Sequence, residues 1–349
     1  MGFLSKLYET KEVPTQSDIG SLLGVIDFSY QHYALGDLFT TQIDLAVMAT
    51  ELKLGSVDIL VMVNPERPSS RYQRFITPDN YIGYLDNIMP VFSCAPMVRS
   101  LQLVRDVPTF NYILVSNYQS RRPVWPDVET HLRMRHDYPL GHERINRFYT
   151  NHGYIPRLAA PRGYDGWARQ FHQRELGGRP MAIINPRQSS LTNNPAAVYR
   201  DAPLNEWHIA IDEIAKRYPE TLFIMVGGFQ EWEHRLFHLS NVFIPRAWGL
   251  SLPHELALIK EAKLFMGTSS GFATYATFID IPYAILNIET SFAKHAEIKP
   301  HDRHYPFGRV DQILTWEKES SEQLIALFET LYTKQKSYGA LFGNNPSVR

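Results

Sequence analysis

Short apolar runs alternate with segments of helical periodicity along most of this chain, and that alternation restricts the fold more than any other feature of the sequence. "LLGVIDF" (22–28) and "VDILVMV" (57–63) read as buried strands, and between them Ile43, Ala46, Val47 and Leu54 recur at helical spacing. About sixteen residues following Asp37 are therefore predicted to be a helix. "NYILVSN" (111–117) is predicted as a third strand, and 65–108 reads as insertions and loops. Over 151–180 the composition turns to Pro, Gly and Arg, which marks a crossing between domains. A second series then begins. Strands are predicted at 181–185, 221–228, 241–245, 263–267 and 282–286, with helices over 203–218, 230–239, 253–262 and 272–278. Alternation of this kind builds parallel sheets.

With 349 residues the chain exceeds one core of ordinary size, so two domains of roughly 150 residues each are expected. The fold class predicted is α/β, with two Rossmann-like domains facing a cleft. The expected boundaries are 1–160 for the first domain, 161–180 for a linker, 181–336 for the second domain, and 337–349 for a tail. The final helix (319–332) is counted with the second domain, with a return to the first as the alternative. In open α/β sheets ligands bind beyond the carboxyl ends of the strands, and the candidate residues below lie at such ends.

Charge and composition exclude several classes. Lys and Arg number 35 against 36 Asp and Glu, so no nucleic-acid footprint is visible. The basic clusters "SRRP" (120–123) and "HLRMRH" (131–136) are short and read as solvated faces. Cys94 is the only cysteine, which rules out an intrachain disulfide and a thiolate metal cluster. No two aspartates stand at i, i+2, His234 and His238 lack the HExxH order, and His301, Asp302 and His304 read as a solvated loop. No metal and no cofactor is expected. The N-terminus has no apolar core like that of a signal peptide, and 264–286 is interrupted by "GTSSG", Asp280 and Pro282. A cytoplasmic protein is expected, with at most peripheral attachment to the inner face of a membrane.

Several constellations can carry chemistry. In "FMGTSSGFATYATFIDIP" (265–282) a buried strand runs into a small polar turn and a helix start. Thr268, Ser269, Ser270, Gly271 and Phe272 there form either a well-capped helix or a diphosphate site, since unpaired N–H groups and the helix dipole favour an anion. "INPRQSSLTNNPAAVYRDAPLNEW" (184–207) is a connection longer than packing requires. Its Arg187 and Arg200 either grip phosphate or pair with an acid such as Asp201 or Glu206. Gly227 and Gly228 either admit a nucleoside or permit a tight turn; Arg246 and Trp248 suit a nucleobase pocket, and Glu289 suits ribose hydroxyls. In the first half, Tyr30, His32 and Tyr33 can hydrogen-bond a polar substrate. Asp37 is either the cap of its helix or a general base. A helix N-terminus weakens a carboxylate as a base, whereas burial strengthens it.

At this point the sequence resembles bacterial GT-B glycosyltransferases, particularly the ADP-heptose:lipopolysaccharide heptosyltransferase type. "LGDLFTTQIDLAVMATEL" (35–52) is similar to that family's N-terminal Gly-Asp and helix start, and "LPHELALIKEAKLFMGTSSGFATYATFIDIP" (252–282) to its donor segment. The match departs where the family's Asp-Thr-Gly becomes Ser269-Ser270-Gly271. The family's following His becomes Thr274 or Tyr275, and Arg187 is the nearest counterpart of its phosphate Lys. The resemblance implies inverting, metal-independent transfer from a nucleotide sugar to a glycan or lipid-linked glycan, with Asp37 as base. A sugar-nucleotide epimerase or hydrolase, or a non-catalytic nucleotide-sugar-binding protein, is the alternative.

Overall fold

The computed structural model of the chain describes residues 20–127, 130, 141–188 and 200–342. Strands β1 (Ser21–Asp27), β2 (Ser56–Met62), β3 (Val98–Val104) and β4 (Val124–Trp125) form a parallel sheet in the order β3-β2-β1-β4. Four helices accompany it: α1 (Leu35–Glu51), α2 (Tyr81–Ile88), α3 (Val107–Gln119) and α4 (His142–His152). The second half contains β5 (Met181–Asn185), β6 (Leu222–Met225), β7 (Val242–Phe243), β8 (Leu264–Thr268), β9 (Tyr283–Leu286) and β10 (Gln312–Leu314). These make a parallel sheet in the order β10-β9-β8-β5-β6-β7. Its helices are α5 (Asp165–Arg174), α6 (Leu204–Arg217), α7 (Leu252–Glu261), α8 (Gly271–Phe278), α9 (Thr290–Ala296) and α10 (Ser321–Phe342).

The apolar runs of β1, β2 and β5 are continuous rather than alternating because both faces of a parallel sheet are covered. Helix α1 is buried nearly all round, lying between the first sheet and α8 of the second half. Several of its polar groups are hydrogen-bonded, within the helix or to a neighbouring one. Thr40 Oγ1 donates to Gly36 O at 3.0 Å, Thr41 Oγ1 donates to Asp37 O at 2.8 Å, and buried Asp44 accepts from Arg144 Nε of α4 at 2.7 Å. The two halves share one apolar core. The Phe39 and Tyr275 rings lie 4.9 Å apart in it, and the Tyr275 hydroxyl donates to Ala159 O at 2.8 Å.

Several sequence expectations are corrected. Residues 111–117 lie in α3, not in a strand: Asp106 accepts from Thr109 N at 2.8 Å, and Phe110 and Leu114 form a buried face at helical spacing. The third strand is β3, within the stretch read as loops; its five central residues are exposed, so no burial pattern betrays it. The stretch 230–239 is not an α-helix but part of two short 3₁₀ turns, Phe229–Glu231 and His234–His238. Glu231 turns back to accept from Gly228 N and Glu233 turns forward to accept from Arg235 N there, competing with helix propagation. Helix α1 begins at Leu35, before Asp37. Helix α5 occupies part of the stretch assigned to a linker. Helix α10 stays with the second half: Leu324, Phe328 and Leu331 pack with Trp207 and Phe223 beneath the second sheet.

Candidate functional site

Strand β1 ends at Asp27, and a tight loop delivers the chain to α1. Asp27 Oδ1 accepts from Ser29 N at 2.8 Å, and Asp27 O accepts from Tyr30 N and Gln31 N. Tyr33 is locked into the wall of this loop. Its ring stacks on Phe28 at 4.1 Å and its hydroxyl donates to Pro68 O at 2.7 Å, while burial pushes the phenol well above its ordinary range. That hydroxyl already donates its proton within the fold. The Arg67 guanidinium lies over the Tyr30 ring at 5.8 Å. His32 Nδ1 lies 3.1 Å from Asp37 Oδ2, with both side chains a little over a quarter exposed.

Asp37 is not the helix cap. Ala34 holds that position with extended backbone and no side-chain hydrogen bond, which places Asp37 third in the helix. Its carboxylate therefore stands in the first turn, where the dipole favours negative charge.

In the second sheet the strand order reverses between β5 and β8, and this crevice is the expected ligand position of such a sheet. Asn185 and Ser270 join the two carboxyl ends. Ser270 Oγ donates to Asn185 Oδ1 at 2.7 Å, and Asn185 Nδ2 donates to Val226 O at 3.0 Å. Ser270 is also the cap of α8, accepting from Ala273 N at 3.2 Å. The amides of Gly271 and Phe272 stand in the same first turn, where helix N–H groups lack intrahelical partners. Thr268 is turned elsewhere: fully buried, it donates to Glu319 Oε1 at 2.7 Å. Residues 267–271 also spell G-x-S-x-G, the pattern of a hydrolase nucleophile elbow. Ser269 lacks the left-handed backbone of a strained elbow, is buried, and hydrogen-bonds to no histidine among the described residues.

The first turns of α1 and α8 abut. A Cβ on Gly271 would fall 2.6 Å from Leu35 Cβ and 3.2 Å from Gly36 N; one on Gly36 would fall 2.9 Å from Thr274 Oγ1. Only glycines permit this approach, and it brings Asp37 and Ser270, from different sheets, to one junction.

The predicted nucleoside residues divide. Gly227 adopts φ +120°, a conformation that favours glycine, and the following turn is held by two acids, Glu255 buried and Glu231 half-buried. Gly227 N donates to Glu255 Oε1 at 3.0 Å and Gly228 N donates to Glu231 Oε2 at 2.8 Å. Arg246 Nε donates to Glu255 Oε2 at 2.8 Å, which answers the charge of a carboxylate with no exposure. Trp248 is 75% exposed and its ring lies 5.8 Å from that of Phe243, so it closes no pocket by itself. Glu289 is the residue before α9, beyond β9, and is half-buried. Arg187 Nη1 lies 3.3 Å from Asp201 Oδ1, the pairing foreseen as its structural alternative. Most of the long loop after β5 (189–199) and the cluster at 131–136 lie outside the described residues.

Sequence reasoning did not single out Asn185, Glu231 or Glu255. Burial raises Glu231 to about 7, against the hydrogen bond from Gly228 and the Arg187 charge. Only Glu231 lies close to the Gly-Gly turn in sequence, three residues beyond Gly228. Among the described residues no group of three or more His, Cys, Asp or Glu is placed to hold a metal ion. None of their helices is long and apolar enough to cross a membrane.

No protein-family model matches the sequence, and no curated protein matches it either. Solved structures do share its fold, an α/β architecture of the GT-B type with two sheets. A family 9 glycosyl transferase from Veillonella parvula DSM 2008 aligns with a TM-score of 0.57 at 11% identity, over 90% of this chain and 98% of that one. The ADP-heptose lps heptosyltransferase II of E. coli aligns with a TM-score of 0.56 at 11% identity, over 90% and 99%. A UDP-GlcNAc 2-epimerase from Neisseria meningitidis aligns at a TM-score of 0.42 and 10% identity, over 93% and 94%.

Proposed function

We propose that this chain is a glycosyltransferase that moves a sugar from a nucleoside-diphosphate donor to a hydroxyl of a glycan or glycoconjugate, with inversion and without a metal ion. The junction of α1 and α8 carries this reading: it pairs a carboxylate from one half with an anion-receptive helix start from the other. The fold shared with the family 9 glycosyl transferase and heptosyltransferase II supports it, and the latter's name makes an ADP-linked heptose the first donor to try.

In the proposed step the acceptor oxygen attacks the anomeric carbon from the face opposite the diphosphate. The carbon–diphosphate bond breaks as the new bond forms, and a single displacement inverts the centre. Asp37 takes the acceptor's proton. The departing diphosphate, gaining charge, is received by the first-turn amides of α8, with Ser269 and Ser270 beside them and Arg187 one strand away. The first half is assigned to the acceptor, with Tyr30 at the entrance, and the second to the donor. Gly227, Gly228, Arg246, Trp248 and Glu289 edge the nucleoside side. The proposed location is the cytoplasm or the inner face of a membrane.

The test is a panel of ADP-, UDP- and GDP-linked sugars, including ADP-heptose, read by thermal shift and by release of nucleoside diphosphate with candidate acceptors. No shift and no release across the panel overturns the reading. Asp37→Asn is expected to keep the donor-induced shift while transfer falls by about two decades or more. Transfer within a few-fold of wild type removes Asp37 from the mechanism.

A further inference from the structure

A Glu or Gln at the third position of a helix can fold back onto the amide of a Ser or Thr cap. Here the cap is Ala34, no capping box forms, and the Asp37 carboxylate turns to the loop before the helix. There His32 Nδ1 meets Oδ2 at 3.1 Å, with the two side chains 28% and 27% exposed, at the edge of the junction rather than sealed in the core. The other face of this contact is also fixed. The His32 ring stands edge-on to Tyr72, with centroids 5.7 Å apart and an interplanar angle of 81°. Asp37 Oδ1 takes no hydrogen bond from the described residues.

We infer that His32 is a positioning residue for Asp37: its Nδ1–H holds one carboxylate oxygen and thereby presents the other to the acceptor hydroxyl. This rests on the reading of Asp37 as the base. Sequence reasoning placed His32 among groups that hydrogen-bond a polar substrate; the geometry gives it an Asp37-directed role instead. A carboxylate on a free rotor meets the hydroxyl at hydrogen-bond distance only part of the time, whereas one tethered at Oδ2 keeps Oδ1 in place. The acceptor's proton passes to Oδ1, and His32 keeps its own throughout. A neutral imidazole that donates at Nδ1 must carry its lone pair at Nε2, so the arrangement also selects one tautomer.

Two measurements test this. The first needs no substrate: imidazole ¹⁵N shifts at pH 8 are expected to show His32 as the Nδ1–H tautomer, and Asp37→Ala is expected to release it to the Nε2–H form that free side chains prefer. An Nε2–H tautomer in the wild-type protein overturns the inference. The second uses nucleotide release from the sugar nucleotide selected by the panel above. His32→Asn, whose amide can donate from near the position of Nδ1, is expected to stay within about three-fold of wild type. His32→Phe keeps the ring and its Tyr72 contact but loses the donor; its kcat is expected to fall about 30-fold with donor KM unchanged. In an Asp37→Asn background His32→Phe is expected to have no further effect. A packing role predicts the reverse order, with Phe tolerated and Asn impaired, and that result refutes positioning. If Asp37→Asn is inactive while His32→Phe matches wild type, only the role of His32 falls. If Asp37→Asn stays active, or no sugar nucleotide is turned over, the base reading itself falls and this inference with it.

Discussion

Replacing Gly271 by alanine adds one methyl group at the point where the two halves meet. That Cβ would lie 2.6 Å from Leu35 Cβ and 3.2 Å from Gly36 N. An ordinary carbon–carbon contact needs about 3.5–4.0 Å, so α1 and α8 must separate by roughly 1 Å. Leu35 Cβ is anchored to the helix backbone, and no rotamer change removes it. Overpacking of this kind costs about 1–3 kcal/mol. In a chain of this size that lowers the melting midpoint by about 1–2 °C per kcal/mol. The same displacement moves Asp37 relative to the α8 first turn, and an error of about 1 Å at a reacting centre lowers turnover by about 100-fold. Gly83→Ala and Gly166→Ala are matched controls, because a Cβ at either position meets nothing within 4 Å. Each lies in a helix and is expected to stabilise by about 0.5–1 kcal/mol, with nucleotide release unchanged. Melting curves and nucleotide release from the same preparations decide the matter. Gly271→Ala with a wild-type midpoint and turnover within two-fold would refute the close-packed junction. A lowered midpoint with intact turnover would leave the junction structural and remove its part in catalysis.

Two further predictions concern pH. Burial alone would raise the Asp58 carboxyl, but hydrogen bonds from Arg99 and Ser100 and the Arg122 charge bring it from 3.8 down to about 2. Its folded value lies below its unfolded one, so its stabilisation is present above about pH 4 and is lost as pH falls through 2. In urea titrations the stability gap between wild type and Asp58→Asn should close over that window; a constant gap contradicts the assignment. Glu231 behaves in the opposite sense, since burial lifts it from 4.5 to about 7 and the folded chain holds a proton that the unfolded chain has released. Its contribution is greatest below about pH 4.5 and declines as pH rises through 7, so Glu231→Gln should gain on wild type across that range in thermal melts. A pH-independent difference between the two would show that Glu231 does not titrate there.

The second sheet was more legible than the first because its strands carry apolar runs bounded by glycine, proline and asparagine. Residues 181–185 were read to the residue, and β8 and β9 within one residue at each end. Strand β3 failed for a physical reason: it is an edge strand with exposed Leu101 and Leu103, and nothing in its alternation distinguishes it from a loop. "NYILVSN" failed the other way, because a β-branched and aromatic run was folded as a helix once Asp106 capped it. At the site, the residues that meet at the junction were visible as Gly-Asp and Gly-Thr-Ser-Ser-Gly. The acids holding the Gly227-Gly228 turn were not, since Glu255 lies 28 residues from its partner amide and only tertiary folding joins them.

Two helix starts, each equivalent to about half a positive charge, meet at the junction. Helix α1 carries an acid in its first turn and α8 carries none, so the negative charge at the meeting point comes from one side only. On the proposed reading a diphosphate seated on α8 supplies the other side, so donor binding balances the α8 dipole before the acceptor reacts.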